Sequence, residues 1–331
     1  MNILKTIFFV SLVILSTKAN SQGYIEYQKE ITQAENYMFD GSFKESIQLY
    51  RKTFDAYEFN FPRDCMIAAQ IADKYGDDTS TYYFLKKALR YGVPIENISN
   101  NKQFRFKYFI KDLQKEYSNI RNQYTNGINL EYKDLCNKLY IKDQEIRDKD
   151  QGFWRNRYFV WQKSLRRKWE NHSIETVKLI DSLIPIYGYP SYKTIGLIDT
   201  SLPKTYINNV GSTQVLIPYI HYMSMNKKKN PKFLENLYDE VVKGNLSARD
   251  YALLCEFDYR QKHKKEIHHF MLGKSLYYIR WEVSPNKDSV FNDEEEINKR
   301  REKIGLSNCY YERLRKIYQH NNWINFYYYE F

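Results

Sequence analysis

The sequence predicts an all-α protein in which a short module of helical repeats is followed by a second helical domain. Three observations lead there. Apolar residues recur at three- and four-residue spacing through most of the chain, as one buried face of a helix requires. Glycine, proline and aspartate fall where such stretches should stop. The early part of the chain also repeats itself with an offset of 35, aligning Gly41 with Gly76, Tyr50 with Leu85 and Phe54 with Leu89.

The first residues read as an export signal. Met1 to Lys5 is a short positive region, Thr6 to Leu15 is apolar, and Ala19-Asn20-Ser21 offers small residues before Gln22. That pattern predicts a signal peptide over residues 1–21 that is removed on export. No cysteine stands near the cleavage point, and no later run is apolar enough to span a bilayer. A bacterial protein of the periplasm or the extracellular space is expected, with no membrane span in the mature chain.

The repeat module is expected over residues 22–125. Tyr27, Ile31, Ala34, Tyr37 and Met38 line one helix face, and Asp40-Gly41-Ser42 breaks that helix. Phe43 to Tyr57 follows, with Ile47, Tyr50 and Phe54 on one side. Pro62 suits the first turn of a third helix, which Gly76-Asp77 ends. Tyr82, Phe84, Leu85, Ala88 and Leu89 mark a fourth, stopped by Gly92-Val93-Pro94. The offset of 35 is close to the tetratricopeptide period of about 34. With Ala34, Gly41, Phe43 and Phe54 in place, the stretch resembles tetratricopeptide repeats; the usual first-helix Trp is absent, and Ser46 stands where the second helix has Ala. Two units leave an open end, so either Phe104 to Tyr124 is expected as a capping helix or the next domain is expected to cover it. The resemblance implies a concave face for a protein or peptide partner. A helical spacer buried against the second domain is the other reading.

A helical domain is expected over residues 130–331. Glu131 to Trp169 reads as long helix interrupted near Gly152, with basic residues between Trp154, Tyr158, Trp161 and Leu165. Ser173 is placed to cap a helix that Gly188-Tyr189-Pro190 ends. Thr213 to Met225 is apolar and carries His221. Ser247 and Ser307 are placed to cap later helices, and the aromatic tail from Asn321 should dock.

The order of features in this half resembles a bacterial family, the domain of unknown function numbered 6624. Asp143-Gln144-x-x-Arg147 matches its D-Q-x-x-R, and Asn298-x-Arg300-Arg301-x-x-x-Gly305-Leu306 matches its closing motif. Between them come Gly188-Tyr189-Pro190, Ile195-Gly196, His221 in an apolar helix, and Ala252-Leu253-Leu254. The resemblance covers roughly Leu135 to Leu306. Tyr189 stands where the family has Trp, and the acid–base pair of its A-x-L-x-D-R is lost or displaced to Asp258 and Arg260. It implies that Asp143, Gln144, Arg147, His221, Asn298 and Arg301 share a site. Asp143 and His221 are its catalytic candidates. Gln144, Arg147, Asn298 and Arg301 are its ligand-binding candidates, suited to a small anion. The structural alternative makes Asp143–Arg147 an i,i+4 pair, Arg301 a strut between helices and His221 a core residue.

Composition narrows the classes further. The net charge of +11 fits nucleic acid, acidic lipid or an anionic glycan. The joint abundance of Lys, Asn, Ile and Tyr is also what an AT-rich coding sequence produces, and export argues against nucleic acid. Cys65, Cys136, Cys255 and Cys309 allow three disulfide pairings. Cys65 and Cys255 lie among apolar helical positions, which favours buried thiols. His263, His268 and His269 match no metal-ligand spacing, and no phosphate-binding or dinucleotide motif occurs. No metal or cofactor is expected. Two functions follow: an exported binding or scaffold protein using the repeat groove and a C-terminal cleft, or a hydrolase of an envelope or peptide substrate acting through His221 and Asp143.

Overall fold

The computed structural model of the chain describes residues 23–100, 104–151, 159–197, 219–222, 232–262, 294–321 and 323–326. The signal segment, most of the basic aromatic run from Phe153, residues 213–218 and 223–225 around His221's helical turn, His263, His268 and His269 lie outside them. Every described element is helical, and no strand occurs among the described residues.

Four helices open the fold. α1 (Tyr24–Phe39) buries Tyr27, Ile31, Ala34 and Met38 at helical spacing. The Gly41 turn, at φ 81°, leads into α2 (Phe43–Ala56), which buries Ile47, Tyr50 and Phe54. α3 (Pro62–Tyr75) begins on Pro62 and is buried at every position from Pro62 to Asp73. Its alanines at 68, 69 and 72 let neighbouring helices approach closely, which a larger side chain on those sides would prevent. α4 (Asp78–Arg90) is capped by Asp77, whose side chain accepts from the Ser80 amide at 2.9 Å.

Helices two apart in the chain are stitched at a steady separation in sequence. The Tyr27 hydroxyl accepts from the Phe61 amide, 34 residues on. Lys87 donates to the Phe54 carbonyl and Tyr91 to the Glu58 carbonyl, each 33 apart. Tyr82 donates to Glu116, again 34 apart. A short α5 (Ile95–Ser99) and a 3₁₀ turn (Arg105–Tyr108) lead to α6 (Ile110–Gly127). The helix starts later than its apolar pattern suggests because Phe104 and Phe106 stack, 5.2 Å between ring centres, as buried anchors of the preceding turn.

α7 (Leu130–Gln151) and α8 (Phe159–Tyr187) pack on each other in the second half. Ser173 lies inside α8 and caps nothing; its hydroxyl donates to the Trp169 carbonyl one turn back. α9 (Lys232–Val242) and α10 (Ala248–Lys262) follow, and Ser247 does cap α10, accepting from the Asp250 amide at 3.1 Å. α11 (Glu294–Lys303) precedes α12 (Cys309–His320), whose cap is Asn308 rather than Ser307. All four cysteines are thiols, with Cys65, Cys136 and Cys309 buried.

The buried apolar residues form two clusters. One fills α1 to α6; the other lies among α7 to α10 and the turn at Ile304–Leu306. The chain's last described residues return to the first cluster, burying Ile324 and Phe326. Gln70 holds that tail from both sides, donating to the Asn325 carbonyl and accepting from its amide.

A buried ionic network joins the two ends of the chain. Glu35 of α1 accepts from Arg63 of α3 at 3.1 Å and from Arg315 of α12. Arg315 also donates to Glu312, which accepts from Arg301 of α11 at 2.9 Å and Arg249 of α10 at 3.5 Å. Arg63 donates to Asp64 at 2.8 Å, and Asp64 accepts from the Tyr27 hydroxyl at 2.9 Å. Burial raises the Glu312 carboxyl, but Arg249 and Arg301 outweigh it and hold the group below its usual value. At Asp64 burial wins over Arg63 and pushes the carboxyl up to about 6.

Two outcomes follow. Arg315→Leu strips two buried carboxylates of a partner and will lower unfolding free energy by about 3–5 kcal/mol in urea titrations. Asp64 retains its proton in the folded chain above the pH, near 4, at which the unfolded chain loses it. The native state therefore binds more protons between about pH 4 and 6, and this group's contribution falls as pH rises through that window. Asp64→Asn removes that slope, so the variant will gain stability relative to the parent between pH 4 and pH 6.5, read from paired denaturation curves.

Candidate functional site

Asp143 sits on the inner side of α7, and its side chain is fully enclosed, at 0% exposure. Its carboxylate gathers three donors. Gln144 Nε2 reaches Oδ2 at 2.8 Å, and the Trp169 indole N–H of α8 reaches Oδ1 at 3.0 Å. His221, on the helical turn at 219–222, brings Nδ1 to Oδ2 at 2.7 Å. An ionised carboxylate only accepts, so the His221 proton toward it is on Nδ1. The Trp169 and His221 rings meet edge to face, 4.7 Å between centres. The imidazole is thus fixed by a carboxylate on one nitrogen and an indole on its face, while its side chain keeps 14% exposure. This is the arrangement by which a carboxylate sets a histidine's tautomer and orientation for proton transfer.

The surroundings are tight. His172, one turn beyond Trp169, lies 3.4 Å from the Leu139 carbonyl, and burial pushes its imidazole below the usual value. Tyr219, beside His221, donates to Asp181 at 2.8 Å, which anchors the turn to α8.

The other sequence candidates are occupied elsewhere. Arg147 does not pair with Asp143; it donates to its neighbour Asp148 at 3.2 Å. The physical reason is that Asp143 points into the α7–α8 interface, where Gln144, Trp169 and His221 already engage both of its oxygens. Asn298 accepts from the Cys309 amide at 2.8 Å and helps start α12. Arg301, at 1% exposure, bonds the Ser307 carbonyl and Glu312 inside the ionic network. The structure therefore joins Asp143, Gln144 and His221, and gives Asn298 and Arg301 structural work between α11 and α12.

A second feature lies where α4 and α6 meet the loop at 188–197. The loop is tied down on several sides. The Asn129 amide donates to the Thr194 carbonyl at 2.7 Å, Lys133 donates to the Leu197 carbonyl at 2.7 Å, and the Leu197 amide donates to the Tyr124 hydroxyl at 2.7 Å. Gly196, at φ 71°, is required here: a Cβ would strike the Tyr124 hydroxyl. Between loop and helices is a half-open cavity of about 370 Å³. Phe59, Tyr91, Tyr124 and Tyr192 provide aromatic wall, and Glu58, Arg90, Gln123 and Lys193 provide polar groups. Lys193 lies over the Tyr24 ring at 4.2 Å and donates to the Lys243 carbonyl at 2.8 Å. Burial lowers its ammonium below the usual lysine value.

Sequence reasoning did not find this cavity, nor Trp169 as a partner of Asp143. The signal for Trp169 was present, since it continues the apolar stripe through Trp161 and Leu165 at four-residue steps. The cavity had none, because its walls come from four segments spread between Glu58 and Lys193. Among the described residues no cluster of His, Cys, Asp and Glu could hold a metal ion, and no helix is long and apolar enough to cross a membrane.

Comparison with known proteins found no matching family model, no matching curated protein and no matching solved structure.

Asp143→Ala leaves the His221 Nδ1–H, the Trp169 indole N–H and the Gln144 amide with a lost acceptor. It will cost about 2–4 kcal/mol by chemical denaturation, with a change in Trp fluorescence, whereas Asp143→Asn, which keeps one acceptor oxygen, will cost less.

Proposed function

We propose that this chain is an exported binding protein that takes up its ligand where the repeat-like helices meet the C-terminal half. The observation that carries the reading is the 370 Å³ cavity between α4, α6 and the 188–197 loop. Its size lies at the lower end of small-molecule sites, and its mixture of aromatic wall and a few polar groups is typical of them. The tetratricopeptide-like pattern of the first units, with inter-helix hydrogen bonds recurring 33 to 34 residues apart, supports a scaffold that presents a binding surface. The export signal read over residues 1–21 sets the compartment in which such a ligand would be met.

The second reading is a hydrolase, and the 2.7 Å contact between Asp143 and His221 favours it. In that reading Asp143 orients the imidazole, and His221 takes a proton from a water or hydroxyl nucleophile. The resemblance of residues 135–306 to the family numbered 6624 supports the pairing of these two residues without naming a substrate.

One variant separates the readings. Gly127 lines the cavity, and a Cβ there meets nothing within 4 Å, so Gly127→Trp is the substitution chosen to add bulk at the cavity wall. A thermal-shift panel of sugars, amino acids, short peptides and organic acids will raise the melting temperature of the parent and leave Gly127→Trp unmoved. A panel that shifts both equally, or neither, overturns the binding reading. The hydrolase reading instead requires turnover of a nitrophenyl ester, peptide or glycan probe that His221→Ala lowers by about 10²–10⁴-fold.

A further inference from the structure

We infer that the cleft between α1, α3 and α12 is a binding site for a peptide carrying an aliphatic and an aromatic residue two positions apart, and that the chain's own Ile324–Phe326 segment occupies it as a resident competitor. All four main-chain polar groups of Asn325 and Phe326 are met by side chains. Gln70 of α3 donates to the Asn325 carbonyl at 3.1 Å and accepts from the Asn325 amide at 2.7 Å. Gln319 of α12 accepts from the Phe326 amide at 2.7 Å, and Arg63 of α3 donates to the Phe326 carbonyl at 3.1 Å. The segment is non-helical, with Ile324 and Phe326 buried and Asn325 between them half-buried. The Phe326 ring lies against Phe39 of α1, 5.5 Å between centres, and under the Arg315 guanidinium of α12 at 5.4 Å.

This arrangement divides its labour as peptide recognition does. Side chains that bond main-chain N–H and C=O groups read what every peptide carries, and buried alternate side chains supply the selection. The segment belongs to no helix, so no helical hydrogen bond is lost when it leaves. Gln70, however, is fully enclosed, and leaving its amide unmet is costly. The cleft is therefore filled either by the tail or by a chain of the same chemistry. An isolated aromatic molecule would fill the place of Phe326 and leave Gln70 and Gln319 unmet. A small polar molecule would meet the amides and leave the apolar places of Ile324 and Phe326 empty. A tethered segment competes at an effective concentration on the order of millimolar, so a partner gains access as the tail is weakened. Gln70, Gln319, Arg63, Phe39 and Arg315 are all absent from the lining of the 370 Å³ cavity, so this site stands or falls independently of binding there.

Fluorescence anisotropy of a labelled peptide, Asn-Trp-Ile-Asn-Phe-Tyr, the sequence of residues 322–327, tests this against the full chain. Phe326→Ala loosens the resident tail, and that variant is expected to bind the peptide at least about tenfold more tightly than the parent does. A peptide with alanine in place of its phenylalanine is expected to lose that gain. So is a peptide N-methylated at its second asparagine, which lacks the main-chain donor that Gln70 accepts. Adding Gln70→Leu to Phe326→Ala is expected to lose the gain as well, and the N-methylated peptide carries this arm whatever Gln70→Leu does to folding. Ile324→Ala replaces Phe326→Ala if the latter does not keep the parent's far-ultraviolet circular dichroism. If neither variant folds, the segment is an integral part of the core and the inference falls. It is also overturned by a peptide that does not bind the loosened variant, that binds it no better than the parent, or that binds it equally well when N-methylated.

Discussion

The fold depends on the ionic network that runs from Glu35 through Arg315 and Glu312 to Arg301 and Arg249. Its members lie on α1, α10, α11 and α12 and are buried or nearly so. Withdrawing charges from water is costly, and the cost is met only when each charge finds its partner in good geometry. Such a network tolerates little displacement, so it specifies how the end of the chain sits on its beginning. The apolar clusters by themselves would be satisfied by many similar packings, because dispersion and burial are not directional.

That docking has consequences elsewhere. The turn after α11 comes so close to α1 that a Cβ at Gly305 would press on the Ile25 carbonyl and the Gln28 side chain, and Thr32 donates to the Gly305 carbonyl at 2.7 Å. The turn after α9 is as close, with the Tyr24 ring where a Cβ of Gly244 would be. Tyr24 in turn lies beneath Lys193. The contact between chain ends thus reaches the loop that walls the cavity, through backbone approach and stacked rings rather than through any flexible arm.

Much of the helical order was legible because it is local. Apolar spacing, a proline in the first turn of α3 and the left-handed glycines at 41, 76, 188, 244 and 305 are written in neighbouring residues. Caps were legible less often, since Ser173 and Ser307 have capping chemistry but the chain turns elsewhere. The candidate site divides the same way. Asp143 and Gln144 share α7, and their meeting with His221 follows from α8 and the turn at 219–222 both lying on that helix face. Asn298 and Arg301 carry the side chains of an anion site, yet one serves a helix start and the other a buried ion network. A donor reads the same in sequence whether its acceptor is a ligand or a neighbouring carboxylate.

The sequence by itself determined that the chain is helical, where most of its helices begin and end, and which side of each is apolar, because those properties rest on propensity and periodicity within a few residues. The tertiary structure alone decided the partners of the charged groups. Asp143 met Trp169 across 26 residues and His221 across 78, and Glu35 met Arg315 across 280. It also decided that Arg90 and Lys193 line one cavity with Glu58. Charge pairing at such separations depends on the packing of whole helices, and no local pattern encodes it.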